Sequence, residues 1–418
     1  MRSRGLSRWV AAGSAAVLLF ALAAPAQAAS VASAVPAPAS TGWVGSWGAA
    51  PSAGDPGLGG TGYPGYSLRN EVHLSTGGSQ LRIHLSNAFG TAALPVDHAT
   101  VAIASGPASP EAKPGSLRSL TFGGRGTTTI ALGAETISDP LTMTVAAGTN
   151  LLVTTYVAAA AGPVTYHSDA QQTSYFTISG DHSADTSGAA YTRATSSWYY
   201  VNQIDVRGTP ARASVVTLGD SITDGYGDTP NTPSRWPDRL GARLNQQPAA
   251  HRLGVLNAGL SANCVLFDGD RPGGPGAWAG VSALKRLDRD VLGTGARTVI
   301  FLEGINDIGQ NMQENDPQAL IDAYTQIANR SHAAGLRVIG GTLPPAPNYV
   351  GERENVREAV NQWIRTTRLL DGVADFDLAI RDPADPHRML PAYDSGDHLH
   401  PGDAGYQAMA DAIPLSKL

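Results

Sequence analysis

The chain has 418 residues, 42% of them hydrophobic and 15% charged, with a formal net charge of −6 at pH 7. This length suffices for two domains with separate cores, and the acidic charge, without a basic cluster interleaved with aromatics, argues against nucleic acid as a partner. Cys264 is the single cysteine, which excludes an intramolecular disulfide, and we expect it to be a small buried residue rather than a nucleophile.

The first segment of the chain is typical of an export signal. Three arginines precede an apolar run over residues 10–24, and Ala26-Gln27-Ala28 follows it. This pattern predicts a secretory signal peptide over residues 1–28, because a membrane-spanning helix needs about 20 apolar residues and this run is shorter. Cleavage there removes the three arginines and no acidic residue, which changes the formal net charge from −6 to −9. We therefore expect a secreted protein without an integral membrane span.

The next segments predict a linker and a β domain. Residues 29–40 contain prolines but no aromatic or charged residue, which is typical of a disordered linker. Over residues 41–206, short runs of β type are separated by glycine-containing turns. In one run Leu81, Ile83 and Leu85 alternate with polar residues, as in a strand with one buried face. The pattern predicts an antiparallel sandwich or jelly roll as an accessory domain.

A different pattern begins after a break near Arg207, and it predicts a second domain over residues 212–418. Apolar runs alternate there with helical periods, and one helix is expected to begin at Asp316-Pro317, where an N-cap carboxylate precedes proline. Alternating strands and helices predict a parallel, doubly wound α/β sheet covered on both faces. The five predicted strands are Ser214–Leu218, Leu253–Leu256, Thr298–Leu302, Arg337–Leu343 and Val373–Ile380.

Polar segments in this second domain carry the groups that acyl transfer requires. That reaction needs a hydroxyl nucleophile, a base, a carboxylate that orients the base, and donors for the oxyanion. Three of the segments directly follow predicted strands, and the carboxyl ends of parallel strands meet at one edge of a sheet. Residues far apart in the chain are therefore expected to meet in space. The segments are Gly219-Asp220-Ser221, Asn257-Ala258-Gly259, Gly304-Ile305-Asn306-Asp307 and Asp397-His398-Leu399-His400-Pro401.

In order and spacing, Ser221, Gly259, Asn306 and His400 resemble the four residues that name the SGNH hydrolases, also called GDSL esterases. The resemblance covers the second half of the chain. It implies a flavodoxin-like, three-layer hydrolase domain with a five-stranded parallel sheet. The first half, which starts near Trp43, is similar to the amino-terminal β domain of some secreted bacterial members.

The resemblance also implies a role for each site residue. Ser221 is expected to be the nucleophile and His400 the base, with Asp397 orienting the imidazole. The backbone amides of Ser221 and Gly259 and the side-chain amide of Asn306 are expected to bind the oxyanion.

A purely structural interpretation exists for three of these residues. Ser221 could cap a helix, and Gly259 and Asn306 could be turn residues, but the four segments in order favour the esterase interpretation. Asp220 and Asp307 are interpreted as structural.

A metal site is the other chemistry that these segments suggest. His398 and His400 could form a metal pair, yet no third histidine or cysteine cluster accompanies them. We therefore expect neither a metal nor an organic cofactor.

The expected protein is a monomeric, secreted serine esterase that acts on short acyl esters of carbohydrates, chiefly acetyl esters. A lipase, phospholipase or arylesterase of the same family is the alternative, and a noncatalytic polysaccharide-binding protein is the alternative from another class. Similar members often carry a glycine and a basic residue at the positions of Ala262 and Cys264. Neither position is expected to be catalytic, but the difference weakens inferences about the substrate.

The role of the β domain is open at this point. The segment Trp198-Tyr199-Tyr200 could stack on sugars, although sandwich core explains these aromatics more simply. The loop over residues 166–169 is a candidate to reach the pocket.

Overall fold

The computed structural model describes residues 42–54, 57–309 and 314–418. The predicted signal peptide and linker lie outside these residues. The described residues belong to one compact unit, in which an all-β region precedes an α/β region. None of the described residues lies in a helix long and apolar enough to cross a membrane.

Two antiparallel sheets dominate the all-β region. Its strands are β1 (Trp43–Gly48), β2 (Tyr66–His73), β3 (Gly78–Ser86), β4 (Leu94–Val96), β5 (His98–Ile103), β6 (Arg118–Ser119), β7 (Thr128–Ile130), β8 (Glu135–Ile137), β9 (Leu141–Val145), β10 (Asn150–Val157), β11 (Tyr166–His167), β12 (Ser174–Phe176), β13 (Arg193–Thr195), β14 (Trp198–Tyr199) and β15 (Val201–Arg207). One sheet has the order β1-β15-β3-β8, with β9 also paired to β3, and the other has the order β13-β12-β2-β10-β5-β6. Val72, Leu81 and Val153, from both sheets, are fully buried in one hydrophobic cluster. The predicted antiparallel β architecture is confirmed.

The aromatic run after β13 belongs to this core. Trp198, Tyr199 and Tyr200 are 2%, 4% and 2% exposed, and the Trp198 ring meets the Trp47 ring edge to face at a centroid distance of 5.0 Å. Buried rings with such partners stabilise the sandwich. They offer no surface on which a sugar could stack.

The α/β region contains one parallel sheet. Its strands are β16 (Ala213–Gly219), β17 (Leu253–Gly259), β18 (Thr298–Leu302), β19 (Arg337–Gly341) and β20 (Gly372–Ala374), and a hairpin of β21 (Arg381–Asp382) and β22 (Asp385–Met389) follows. The helices are α1 (Ser221–Asp224), α2 (Trp236–Asn245), α3 (Ala283–Asp290), α4 (Ile305–Gly309), α5 (Pro317–Ala333), α6 (Glu352–Thr366), α7 (Phe376–Ile380) and α8 (Asp403–Ala412). The order β17-β16-β18-β19-β20 is the flavodoxin-like order, which reverses direction at its first strand, β16. The predicted five-stranded parallel sheet is confirmed.

One predicted helix start is correct and one predicted strand is partly wrong. Helix α5 begins at Pro317, and the Asp316 carboxylate caps it by accepting a bond of 2.9 Å from the Gln318 amide. The strand predicted over Val373–Ile380 ends at Ala374. Asp375 then caps helix α7, and this cap converts the following apolar residues from a strand into a helical turn.

The all-β region packs against β17, the edge strand of the parallel sheet. A Cβ atom at Gly254 would lie 2.0 Å from the Gly45 carbonyl oxygen, so only glycine permits this approach of β1 to β17. The Val255 amide donates a hydrogen bond of 2.8 Å to Ser75 Oγ. The contact covers an edge that would otherwise expose unpaired backbone groups, and it fixes the all-β region beside the α/β sheet.

Candidate active site

Ser221 lies at the point where the sheet order reverses. It directly follows β16 and is the first residue of helix α1. The Asp220 carboxylate caps this helix by accepting a bond of 2.9 Å from the Ile222 amide, and Gly225, with φ of +110°, ends it. The first amides of a helix have no acceptor within the helix. The Ser221 amide therefore remains able to serve another acceptor.

The hydroxyl of Ser221, the ring of His400 and the carboxylate of Asp397 form one hydrogen-bonded chain. Ser221 Oγ lies 2.8 Å from His400 Nε2, and His400 Nδ1 lies 2.6 Å from Asp397 Oδ2. In the tautomer protonated at Nδ1, the ring donates to Asp397 and Nε2 can accept the serine proton. The structure thus brings together the three residues predicted to form a triad.

The loop that carries His400 also fixes the carboxylate of Asp397. Asp397 Oδ1 accepts hydrogen bonds from the amides of Leu399 and His400, at 2.9 Å and 2.8 Å. Partial burial acts to raise the pKa of Asp397, but the hydrogen bonds from His400 and Leu399 outweigh it and hold the pKa below its ordinary value. The carboxylate is therefore ionised at neutral pH, as the orienting group of a triad must be. The Tyr226 ring packs against the His400 ring at a centroid distance of 4.6 Å.

Ser221 and His400 open into a cavity of about 410 Å³. A volume of this order suits a small ligand. Aromatic and aliphatic side chains form most of its wall, and a few polar groups converge on it. The lining residues are Asp169, Ser221, Tyr226, Ser261, Ala262, Trp278, Asn306, Gly309, Tyr349, Leu399 and His400.

The structure does not bring Gly259, a predicted oxyanion donor, to this cavity. Its amide donates a hydrogen bond of 2.8 Å to the Asn257 side chain, and a Cβ atom there would lie 2.3 Å from the Asp224 nitrogen. The glycine is thus required by close packing against α1. Ala262 lines the cavity instead, has φ of +60°, and its amide has no acceptor among the described residues. Sequence reasoning missed this donor, although the departure from the usual glycine at Ala262 was a signal.

Asn306, on the short helix α4, lines the same cavity as predicted. Its Nδ2 donates a hydrogen bond of 2.9 Å to the Asn263 carbonyl, and this bond fixes the plane of the amide group. Asp307, the next residue, accepts bonds of 2.9 Å from the amides of Val265 and Leu266. It thereby holds the loop that carries Asn263 and has the structural role predicted for it.

A cluster of buried carboxyl groups lies beneath the nucleophile. Burial raises the pKa of Asp220 and of Asp307 to about 7, and it raises the pKa of Glu303 well above the ordinary value. Arg286 is the nearby cation, with Nη2 3.5 Å from Glu303 Oε2. The same guanidinium donates to the Gly219 carbonyl at 2.9 Å, so it also anchors the carboxyl end of β16, directly before Ser221.

The all-β region contributes to the cavity wall through the loop after β11. His167, the last residue of β11, is buried, and its Nε2 lies 2.9 Å from Asp224 Oδ1, on helix α1. Burial acts to lower the pKa of His167, but the Asp224 carboxylate outweighs it and raises the pKa. Asp169, two residues later, lines the cavity, and Ser261 Oγ donates to its Oδ2 at 3.1 Å. The prediction that this loop reaches the pocket is confirmed.

His398 takes no part in the site. Its Nδ1 lies 2.6 Å from Asp394 and its side chain is 66% exposed. Within residues 42–54, 57–309 and 314–418, the side chains close enough to hold a metal ion are Glu354, Glu358 and His387, a group that contains neither His398 nor His400. Cys264 is buried as predicted, and burial raises the pKa of its thiol.

Comparison with known proteins places the second half of the chain in a family. The model of the GDSL-like lipase/acylhydrolase family matches residues 217–408. Similar solved structures include a lipolytic protein of the G-D-S-L family from Desulfitobacterium hafniense DCB-2, with 22% identity over 49% of this chain and 99% of that chain and a TM-score of 0.38. The acetyl xylan esterase AlAXEase has 18% identity over 48% of this chain and 96% of its own, with a TM-score of 0.36.

A family two carbohydrate esterase from Clostridium thermocellum, solved with cellohexaose, has 14% identity over 82% of this chain and 88% of its own, with a TM-score of 0.36. No curated protein matches the chain at a significant level. The assignment rests on the family model and on the parallel sheet that carries the polar segments. The chain is a hydrolase whose residues 217–408 form a domain of the GDSL-like lipase/acylhydrolase family.

Proposed function

We propose that the protein is a serine esterase that hydrolyses carboxylic esters through an acyl-enzyme on Ser221. The observation that carries this proposal is the hydrogen-bonded chain from Ser221 Oγ to His400 Nε2, at 2.8 Å, and from His400 Nδ1 to Asp397, at 2.6 Å. Ser221, at one end of this series of hydrogen bonds, opens into a cavity that a small ester can enter. Because the nucleophile, base and orienting carboxylate are all in hydrogen-bonding contact, a catalytic role is favoured over a purely sugar-binding role.

The reaction proceeds in two transfers of the acyl group. In the first, His400 Nε2 takes the proton of Ser221 as Oγ attacks the carbonyl carbon, and a tetrahedral intermediate forms. The protonated ring then gives this proton to the leaving alcohol oxygen as the ester bond breaks. In the second, water replaces the alcohol: His400 takes a proton from water, the hydroxide attacks the acyl carbon, and the proton returns to Ser221 Oγ as the acid leaves. Throughout, Asp397 stabilises the imidazolium.

The oxyanion is bound by donors on neighbouring elements. The Ser221 amide opens helix α1, the Ala262 amide lies in the loop after β17, and the Asn306 side chain projects from α4. All three residues line the cavity. Ala262 thus takes the role that sequence reasoning gave to Gly259. Donors held by the fold stabilise the developing charge without reorganising during the reaction.

The proposed substrates are short acyl esters of carbohydrates, chiefly acetyl esters. The cavity of about 410 Å³ accommodates a small ester, and its wall combines an aromatic ring, Trp278, with polar groups of Asp169 and Ser261. Sugars present both apolar ring faces and hydroxyl groups, so they match such a wall. A lipase, phospholipase or arylesterase activity is the alternative, and it predicts a preference for apolar acyl or alcohol groups.

We further propose that the protein is secreted after cleavage behind Ala28 and acts as a monomer without a metal or organic cofactor or a nucleic acid partner. The predicted export signal in residues 1–28 and the acidic net charge support this proposal. One chain provides every group that the reaction uses. Amino-terminal sequencing of the exported protein tests the cleavage site, and light scattering tests the oligomeric state.

The function is tested by esterase assays on residues 29–418. Wild type, Ser221→Ala and Ser187→Ala are compared on nitrophenyl acetate, nitrophenyl butyrate and a long-chain nitrophenyl ester. Ser187 is an exposed serine of the all-β region and serves as the matched control. We expect Ser221→Ala to lower turnover by roughly 10⁶-fold, with Ser187→Ala unchanged. A folded wild type that hydrolyses none of the esters overturns the proposal, and a preference for the long chain favours the lipase alternative.

A further inference from the structure

The all-β region holds a carboxylate in the wall of the active cavity. Asp169 lies in the loop after β11 and lines the same cavity as Ser221 and His400. The loop is firmly anchored: His167 Nδ1 bonds to the Ala50 carbonyl at 2.8 Å and its Nε2 to Asp224 at 2.9 Å. The Asp169 carboxylate is therefore part of a fixed wall.

The contacts of Asp169 leave it able to accept further hydrogen bonds. Its Oδ1 accepts from Gln171 Nε2 at 2.8 Å, and its Oδ2 lies 3.1 Å from Ser261 Oγ. The Ser261 hydroxyl also lies 3.0 Å from Asp224 Oδ2. A hydroxyl has one proton, so Ser261 can donate to only one of the two carboxylates at a time. An ionised carboxylate has about four acceptor positions, so Asp169 retains capacity toward the cavity.

The surroundings of Asp169 favour a ligand that donates hydrogen bonds to it. Burial, followed by the charge of Asp224, raises the pKa of Asp169 to about 6, so it is mostly ionised at neutral pH but poorly solvated. An acyl chain placed against it would bury this charge further without a partner, at a cost in free energy. A hydroxyl group would provide the missing donor.

The neighbours of Asp169 indicate a polyhydroxylated group rather than a cation. Ser261, beside it in the wall, can both donate and accept, as a hydroxyl does. Trp278 lies in the same wall, and its Nε1 donates to the Pro275 carbonyl at 2.9 Å, which fixes the ring. A hydroxylated ring can use the acceptor, the hydroxyl and the aromatic face together, whereas a quaternary ammonium group makes no hydrogen bond to Ser261.

We propose that Asp169 is a specificity-determining residue that accepts hydrogen bonds from hydroxyl groups of the alcohol part of the substrate. The all-β region then takes part in substrate selection. This inference rests on the esterase function proposed above, and it assigns the sugar preference of that function to one side chain. Asp169 selects the substrate and is not needed for the acyl transfer itself.

The test compares esters that share an acetyl group and differ in the alcohol. The substrates are nitrophenyl acetate, a methyl hexoside with one acetyl group, and acetylcholine. The enzymes are wild type, Asp169→Ala, the isosteric Asp169→Asn, and Asp185→Asn, which removes an exposed carboxylate of the same region outside the cavity. Thermal unfolding shows which variants are folded, and Asp169→Asn preserves the shape of the wall if Asp169→Ala does not fold.

We expect Asp169→Ala and Asp169→Asn to lower kcat/KM for the acetylated hexoside by roughly 10- to 100-fold, the loss expected for a hydrogen bond to a charged group. Nitrophenyl acetate hydrolysis should fall by a much smaller factor, because that alcohol carries no hydroxyl donor. Asp185→Asn should match wild type on all substrates. This dependence on the alcohol separates recognition from a structural role, which would affect every ester.

Several outcomes would overturn the inference. They are an equal loss on all esters, no loss on the hexoside, or a wild type that prefers acetylcholine or does not hydrolyse the hexoside. In each case, nitrophenyl acetate hydrolysis that Ser221→Ala abolishes would leave the esterase function standing. If the wild type hydrolyses no ester, the proposed function and the inference fail together.

Discussion

Oγ of Ser221 lies 2.8 Å from Nε2 of His400, although the two residues are 179 positions apart in the chain. His400 and its carboxylate Asp397, by contrast, share one short loop, which is closed by a bond of 3.0 Å from the Ser395 amide to the His400 carbonyl. Helix α8, which follows this loop, is tied to the serine side of the site, because Tyr406 Oη donates to the Tyr226 carbonyl at 2.6 Å. The base and its carboxylate are thus held by one loop, and the distance between Ser221 and His400 depends on how this loop packs beside helix α1.

Replacement of Asp397 tests the orienting carboxylate. Asp397→Asn should lower kcat by roughly 10⁴-fold, as for other triads, because the amide no longer holds Nδ1–H and stabilises the imidazolium poorly. Turnover of nitrophenyl acetate measures the loss. Asp394→Asn, which alters the similar pair with His398, is the matched control and should stay near wild type. Equal effects of the two changes would contradict the role of Asp397.

Replacement of Asn306 tests the side-chain oxyanion donor. Asn306→Ala should lower kcat by about 10² to 10³-fold with little change in KM, because the donor acts mainly on the charge of the transition state. Steady-state kinetics on nitrophenyl acetate separate the two parameters. Asn355→Ala, at an exposed position of α6, controls for loss of an asparagine. An unchanged kcat would remove Asn306 from the site.

Ala262→Gly tests whether only the backbone of this residue serves the oxyanion. Ala262 has φ of +60°, a conformation that glycine adopts without strain. The variant should keep its turnover and gain up to about 1 kcal/mol in the free energy of unfolding, measured with urea. Ala408→Gly, inside α8, should instead lose about 1 kcal/mol. A large loss of activity in Ala262→Gly would indicate that its methyl group shapes the site.

Glu303→Gln tests the buried carboxyl cluster beneath Ser221. Neither Glu303 oxygen has a hydrogen-bond partner among the described residues, and burial raises the pKa of Glu303 well above its ordinary value. Between pH 5 and pH 8 the folded protein therefore holds a proton that the unfolded chain releases, so this group lowers stability as the pH rises, by about 1.4 kcal/mol per unit at most.

The amide of Glu303→Gln does not titrate. The midpoint of thermal unfolding of this variant, relative to wild type, should therefore rise from pH 5 to pH 8. Glu358→Gln, at an exposed position, should keep the wild-type dependence. If Glu303→Gln and wild type show the same pH dependence, Glu303 is ionised in the folded protein and the interpretation of the cluster is wrong.

The sequence predicted the elements that depend on a periodic apolar pattern or on contacts within one helical turn. Buried parallel strands are continuous apolar runs, so the strands around Ser214 and Thr298 could be located from composition. The helix start at Asp316 could be predicted because a cap and a following proline act within one turn. The sequence predicts a strand for the segment after Ala374, because a short apolar run does not distinguish a strand from a helical turn. The cap at Asp375 decides between them.

The sequence could not predict every group that faces the cavity. Gly259 follows a strand and belongs to the expected motif, but the direction of its amide depends on the Asn257 side chain. Ala262 reaches the cavity through a left-handed turn that its residue type does not indicate. The loop over residues 166–169 is a candidate from the sequence to reach the pocket, but only the packing of the all-β region places Asp169 beside Ser261. These three positions depend on tertiary contacts.

The central claim, that Ser221 is the nucleophile activated by His400, is tested most directly by covalent labelling. Wild type, Ser221→Ala and His400→Ala are incubated with a nitrophenyl alkylphosphonate and analysed by intact mass and peptide mapping. We predict one phosphonyl group on Ser221 in the wild type, none in Ser221→Ala, and much slower labelling in His400→Ala. Labelling at another residue, or ester hydrolysis that persists in Ser221→Ala, would contradict the account.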